Sequence, residues 1–151
     1  MKTLNLWVPG LPVAQPRPRA VSFAGHARLY NPGTSSTWKA CVIKAAADEM
    51  KKGFKTAAKG VPVCCNLTFY FPRPASHFGT GRNAGLLKAN APIHPTTKPD
   101  RDNLCKSTED ALTAAAVWMD DAQVTDGRIR KRYTAHGASP GCMIEITEDL
   151  E

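Results

Sequence analysis

The stretch VPVCCNLTFYF places Val63, Cys65, Leu67, Phe69 and Phe71 at every second position. Successive side chains of an extended chain point to opposite faces, so this run reads as a half-buried strand with one apolar row. Other strand signals lie at both ends of the chain. In TLNLWVP, Leu4, Leu6 and Val8 alternate until Pro9 and Gly10 end the run. PVAQPRPRAVSFAGHARLYNPG suggests a hairpin, with an AGH turn between two short extended runs and Pro32-Gly33 closing it. Two further strands are expected at about 124–133 and 141–147, joined by TAHGASP.

Two segments have helical spacing instead. From 34 to about 54, hydroxyl N-cap candidates precede Trp38, Cys41, Val42, Ala45, Ala46 and Met50, and lysines fill the last turn before Gly53. Later, Leu104, Thr108, Ala111, Leu112, Ala115 and Trp118 share one helical face. Between the central strand and this helix lies a long loop, 72–99, with five prolines and three glycines and no sustained period. Loops of that length inside a domain are usually functional or disordered. The order of elements predicts an α+β fold, a small mixed sheet with two main helices. At 151 residues the chain fits a single domain, 1–151, burying roughly 70% of its unfolded surface. Trp38 and Trp118 are expected in its core.

Charge is distributed unevenly. Residues 1–99 carry fourteen Lys and Arg against only Asp48 and Glu49, whereas seven of the thirteen acids fall between Asp100 and Asp126. Acids so concentrated repel one another unless something cationic sits among them. No stretch approaches the length of a membrane span, and no apolar signal-peptide core opens the chain. Five cysteines without metal-ligand spacing suit reduced thiols in a cytoplasm rather than a zinc site.

The acids have a spacing that carries chemistry. Asp100 and Asp102, two apart after Pro99, would project to one side of an extended segment about 6.5 Å apart and address one cation. On a helix they would diverge by about 200°. Lys106 follows one turn beyond Asp102, and Asp120 and Asp121 fall at the turn after the helix. Carboxylate oxygens are what Mg²⁺ and Mn²⁺ prefer, and such an ion polarises a phosphate and acidifies an attacking water. An ammonium nearby offsets charge developing on the phosphate oxygens. The alternative for Asp102 is a helix N-cap.

The segment DRDNLCKSTEDALTAAAVWMDDAQVTDGRIRK resembles the signature of the RusA family of Holliday junction resolvases, small endonucleases common in phages and prophages. The shared pattern is D-x-D-N-L-x-K, a helix containing D-A-L, an aromatic residue, then D-D-x-x-V. PVAQPRPRAVSFAGHARLYNP and, more weakly, SHFGTGRNAGLLKANAP extend it. The resemblance implies that Asp100, Asp102 and Asp121 are catalytic acids holding Mg²⁺ or Mn²⁺, and that Lys106 is the essential lysine. Asp120 matches a neighbouring family acid and is a further candidate ligand. It also implies a homodimer that cuts branched DNA by paired nicks, in a bacterial cell or a phage-infected host. The loop at 72–99 is larger than in the shortest family members.

A polyanionic partner gives the basic remainder a purpose, because each phosphate contact releases counterions. Arg128, Arg130 and Arg132 alternate along one expected strand beside Lys131, and Arg17, Arg19 and Arg28 surround the N-terminal hairpin; both groups are candidate DNA contacts. His77 and His94 read as loop-surface residues. Two other functions remain compatible with the sequence: a DNA-binding or regulatory protein without catalysis, and a general structure-selective nuclease.

Overall fold

The computed structural model describes residues 3–30 and 34–149, leaving out the side chains of 19, 21, 23, 29 and 30. Its elements in chain order are β1 (Thr3–Pro9), β2 (Arg19–Phe23), β3 (His26–Tyr30), α1 (Ser36–Lys51), β4 (Val63–Phe71), α2 (Arg101–Ala114), β5 (Val124–Asp126), β6 (Ile129–Tyr133) and β7 (Gly141–Glu148). This is the expected α+β order. Along β4 the odd positions 63–71 are all buried and the even ones half-buried, as the period-2 run requires.

The main sheet is mixed, in the order β1, β7, β4, with β5 and β6 end to end along the far edge of β4. β7 pairs antiparallel with both β1 and β4, whereas β5 and β6 run parallel to β4. Parallel neighbours need a long crossover, and the loop at 72–99 plus α2 supplies it. Register aligns the apolar rows: Leu6 and Leu67 both oppose Ile144, and Val8 and Phe69 both oppose Cys142. Trp38, Val42 and Ala46 of α1 and Leu104, Thr108, Ala111 and Leu112 of α2 join these rows in one core. Trp38 is buried as expected, and its indole Nε1 donates to Thr108 Oγ1 at 3.1 Å, which satisfies the one polar atom it takes inside.

Boundaries depart from the sequence reading in instructive places. α1 is shorter than 34–54, and Ser35 occupies the N-cap position without a side-chain capping bond. The hairpin forms as a two-stranded sheet of its own, turning at Ala24 and Gly25, both with positive φ. Its expected close at Pro32-Gly33 lies outside the described residues. α2 stops at Ala114 because Ala116 turns left-handed, with φ of 58°, and the amides of Ala116 and Val117 bond back to Thr113 and Leu112. Trp118 is therefore off the helix, though buried; it bridges to Ala57 and donates its indole N–H to Thr113 Oγ1 at 2.7 Å.

The expected strand at 124–133 is broken in two. Gly127, with φ of 155°, and Arg128 fall in the gap, where the Arg128 amide donates to Asn66 Oδ1 at 2.8 Å. A Cβ at 127 would collide with the Cys65 carbonyl, so only glycine lets the chain pass so close to β4. Gly127→Ala is expected to cost about 2–4 kcal/mol, lowering the unfolding midpoint by roughly 5–15 °C. Gly60→Ala, with positive φ but open space around it, should cost only about 1 kcal/mol. Thermal unfolding followed by circular dichroism compares the two; equal losses would remove the steric account.

Candidate active site

The acids are arranged around α2. Asp100 is its N-cap residue, with extended dihedrals of −72° and 142°, and Asp102 sits in the first helical turn. The extended stretch expected to carry both therefore ends at Asp100. Pro99 restricts Lys98 alone, which leaves Arg101 free to begin the helix. Nor is Asp102 the cap, and the Asp100 side chain makes no capping bond. Both carboxylates are exposed. The hollow beside Asp100, about 540 Å³, is lined by Gln15, Arg17, Lys98 and Asn103 among others. It exists because the segment after β1 is stitched to α2: the Gln15 amide donates to the Asn103 carbonyl at 2.8 Å, and Ser107 Oγ donates to the Val13 carbonyl at 2.6 Å.

Lys106 lies on the exposed side of α2, but its ammonium is turned along the helix. Nζ donates to Asp110 Oδ1 at 2.8 Å, and the other oxygen of Asp110 lies 3.9 Å from Lys39 Nζ of α1. That hydrogen bond and the Asp110 charge raise the lysine pKa, with a smaller contribution from Asp121. Lys106 is thus a fully charged cation within the electrostatic reach of Asp121.

Asp120 and Asp121 open the turn before β5. Asp120 Oδ1 accepts from the Ala122 amide at 2.9 Å, and this bond, with the neighbouring Asp121 carboxyl, lowers its pKa. Gln123 holds the turn in place. Its Oε1 accepts from the amides of Met119 and Asp120, and its Nε2 donates to the carbonyls of Ala58 and Val61. The D-x-x-Q spacing is a capping-box signature that could have been read from the sequence. Asp121 lines a hollow of about 350 Å³ together with Glu109, Asp126, Cys65 and Gly127. Sequence reasoning missed Glu109 and Asp126. Glu109 is half-buried, and burial raises its carboxyl pKa, with Asp110 and Asp121 adding to the effect. Cys105 is pushed up to about 12 by burial and by Glu109, so it carries no reactive thiolate.

The basic candidates separate into different places. Arg130 and Arg132 oppose Thr68 and Tyr70, on the sheet face turned away from the helices. Arg128, in the strand break, shares a hollow with Arg130, Asn66, Thr68 and Glu145, so an acid interrupts the basic row. Lys131 faces the other way, opposite buried Phe69, and donates to the Thr97 carbonyl at 2.6 Å. It holds the end of the long loop. Arg17 and Arg28 are exposed, Arg17 beside Asp100; the Arg19 side chain lies outside the described residues. His77 packs edge-on against Tyr133 with ring centroids 5.3 Å apart, and His94 is exposed.

In donor type this site suits a hard divalent cation. Among the described residues, Asp48, Glu49 and Asp110 enter ion pairs, whereas Asp100, Asp102, Asp120 and Asp121 enter none. Gln15 Oε1, in the hollow of Asp100, is buried without a hydrogen-bond partner among the described residues. In placement the acids are spread from the cap of α2 to the turn before β5. Among the described residues no three His, Cys, Asp or Glu side chains come together as one metal-binding group.

Comparison with known proteins decides the family. The family model for endodeoxyribonuclease RusA matches residues 9–147, nearly the whole chain. This chain belongs to the RusA family. A full-length relative is the uncharacterized protein YqaN of Bacillus subtilis (strain 168), 31% identical over 134 residues, 89% of this chain and 90% of that one. The crossover junction endodeoxyribonuclease rusA of Enterobacteria phage 82 is 53% identical over 38 residues, covering 25% of this chain and 32% of the relative. RusA of Escherichia coli (strain K12) matches to the same extent. No helix among the described residues is long and apolar enough to cross a membrane.

Proposed function

We propose that this chain is a metal-dependent, structure-selective endodeoxyribonuclease that resolves Holliday junctions by paired symmetric nicks, acting as a homodimer on branched DNA. The observation that carries the reading is the contrast among the acids. Asp100, Asp102, Asp120 and Asp121 are exposed and take no cationic partner among the described residues, in a chain of the RusA family. Unpaired carboxylates repel an incoming phosphate, and a bound cation would reverse that repulsion. Asp100, Asp102 and Asp121, with Asp120 beside them, would hold Mg²⁺ or Mn²⁺, which when bound polarises the scissile phosphate and acidifies water. Lys106, exposed and turned toward Asp110 in the free chain, would swing its full positive charge to the phosphate oxygens. The basic surfaces hold the arms, and recognition is of branched shape, with phosphate contacts positioning the junction.

The test is cleavage of a synthetic four-way junction with and without divalent metal, beside linear duplex at equal concentration. Binding without cleavage under all metals would leave a DNA-binding protein, and equal cutting of duplex would leave a general nuclease. The arginine face makes a separate expectation. Arg130→Ala with Arg132→Ala should flatten the slope of log affinity against log salt by about 2, since each phosphate contact on B-form arms releases nearly one counterion. Lys131→Ala, which removes the tie to Thr97, should leave that slope within about 0.5 of the parent. An unchanged slope in the double variant takes the open sheet face out of the interface.

A further inference from the structure

The long loop between β4 and α2 is folded on itself. Two backbone hydrogen bonds, Gly79 to the Leu86 carbonyl and Lys88 to the His77 carbonyl, both at 2.9 Å, close it into a short hairpin over 77–88. Phe78 and Leu87 form a bridge within it, and turns at Ala75–His77 and Gly81–Asn83 shape its base and tip. At Gly79 any side chain would collide with Asn83, so the tip is tightly folded on itself. The hairpin is also anchored to the body of the domain. His77 packs edge-on against Tyr133 of β6 with ring centroids 5.3 Å apart, Phe78 packs on His136 of the β6–β7 connection at 4.6 Å, and on either side of the hairpin Arg73 lies 4.5 Å over the Tyr133 ring and donates from Nη1 to the Pro92 carbonyl at 2.6 Å.

What this hairpin presents is unusual for a surface. Leu86 is 60% exposed and Leu87 51%, with Ile93 further along the loop at 77%. Single exposed leucines need no explanation, but adjacent ones on a braced projection mark a contact surface. Charge says what kind. No acid occurs between Glu49 and Asp100, while Arg82 and Lys88 flank the leucines. An apolar tip flanked by cations fits nucleic acid, where apolar side chains wedge between base steps and cations meet the bordering phosphates.

We propose that the 77–88 hairpin is a branch-point wedge. Leu86 and Leu87 enter the opening at the centre of a four-way junction and pack on the base faces left unstacked there, while Arg82 and Lys88 contact the phosphates beside them. The branch point is the part of such a DNA where stacking is already interrupted, so entry there costs less than entry into a continuous duplex. The internal hydrogen bonds and the anchors on Tyr133 and His136 mean that little ordering entropy is lost on binding. The loop leads directly to Asp100, which joins the recognition of the branch to the catalytic end of α2. This inference rests on branched DNA being the substrate.

The experiment uses the full chain in metal-free buffer with four-way junctions carrying 2-aminopurine either at the branch point or within an arm. Fluorescence of the branch-point probe should rise on binding, and that of the arm probe should not. Leu86→Ala with Leu87→Ala should abolish most of the rise and weaken junction affinity about tenfold, with linear duplex affinity held within about twofold. Leu86→Met with Leu87→Met should keep the parental signal. Parental fluorescence and affinity in the alanine variant would overturn the wedge while leaving the junction reading intact. A parent chain that prefers no junction over duplex would overturn the junction reading itself. A shift in oligomeric state on gel filtration confined to the alanine variant would also overturn the wedge, assigning the leucines to a contact between copies of this chain.

Discussion

Asp102→Asn is expected to abolish junction cleavage without loss of junction binding in metal-free buffer. The residue is exposed in the first turn of α2 and makes no hydrogen bond or ion pair to the described residues, so its replacement by an isosteric amide disturbs no packing. The helix N-terminus favours a negative charge there by about 0.3–1 kcal/mol, which bounds the fall in the unfolding midpoint at about 4 °C. Against that, removing one of several neighbouring acids lessens repulsion of incoming phosphate, so affinity without metal should equal or exceed the parent's. Gel-shift titration, a cleavage time course and a thermal melt on one preparation read all three quantities. Cleavage at a near-parental rate by the asparagine variant would sink the metal-site reading.

Lys106→Ala should lower the cleavage rate by about 10²–10³ while changing junction affinity little, the size of effect seen when one electrostatic donor to a transition state is lost. The hydrogen bond to Asp110 explains why the fold should tolerate the change: Lys106 is exposed, its pair with Asp110 is worth no more than about 1 kcal/mol, and Asp110 keeps Lys39 nearby. Single-turnover cleavage at saturating enzyme separates the rate from binding. Parallel losses in rate and affinity would make Lys106 an ordinary phosphate contact.

Where the sequence was legible, one physical rule governed a whole element. Alternation of Val63 through Phe71 predicted β4 because a single buried face dictates period 2, and Trp38, Val42 and Ala46 predicted the buried side of α1 in the same way. Rules failed where two elements meet. Asp100 and Asp102 straddle a helix start, so neither the extended nor the helical spacing describes both. Trp118 fits the helical stripe of α2 by arithmetic, yet the chain reverses at Ala116, and tertiary contact with Ala57 places the ring instead. The break at Gly127 is set by its approach to the Cys65 carbonyl, a long-range contact that no local pattern encodes. The hollow of Asp121 was incomplete because it takes Glu109 from α2 and Asp126 from β5, either side of the reversal at Ala116, and closes on Cys65 of β4, a contact across the sheet. Gln123, by contrast, is encoded locally, because its spacing from Asp120 is that of a capping box.

The gap at Gly127 and Arg128 also decides what a one-residue slip in strand register would do to the surface. Because β6 is re-anchored on β4 after the gap, with Thr68 facing Arg130 and Phe69 facing Lys131, each of its cations is committed to one side of the sheet. Deleting a single residue from the gap while keeping the pairing phase of β4 would exchange the two sides. Lys131 would leave the Thr97 carbonyl for the open face, and Arg130 and Arg132 would be driven toward Phe69 and the helices. Length in that two-residue gap should therefore be far less variable than the identity of the cations that follow it, and an insertion or deletion there would be more damaging than any single arginine substitution.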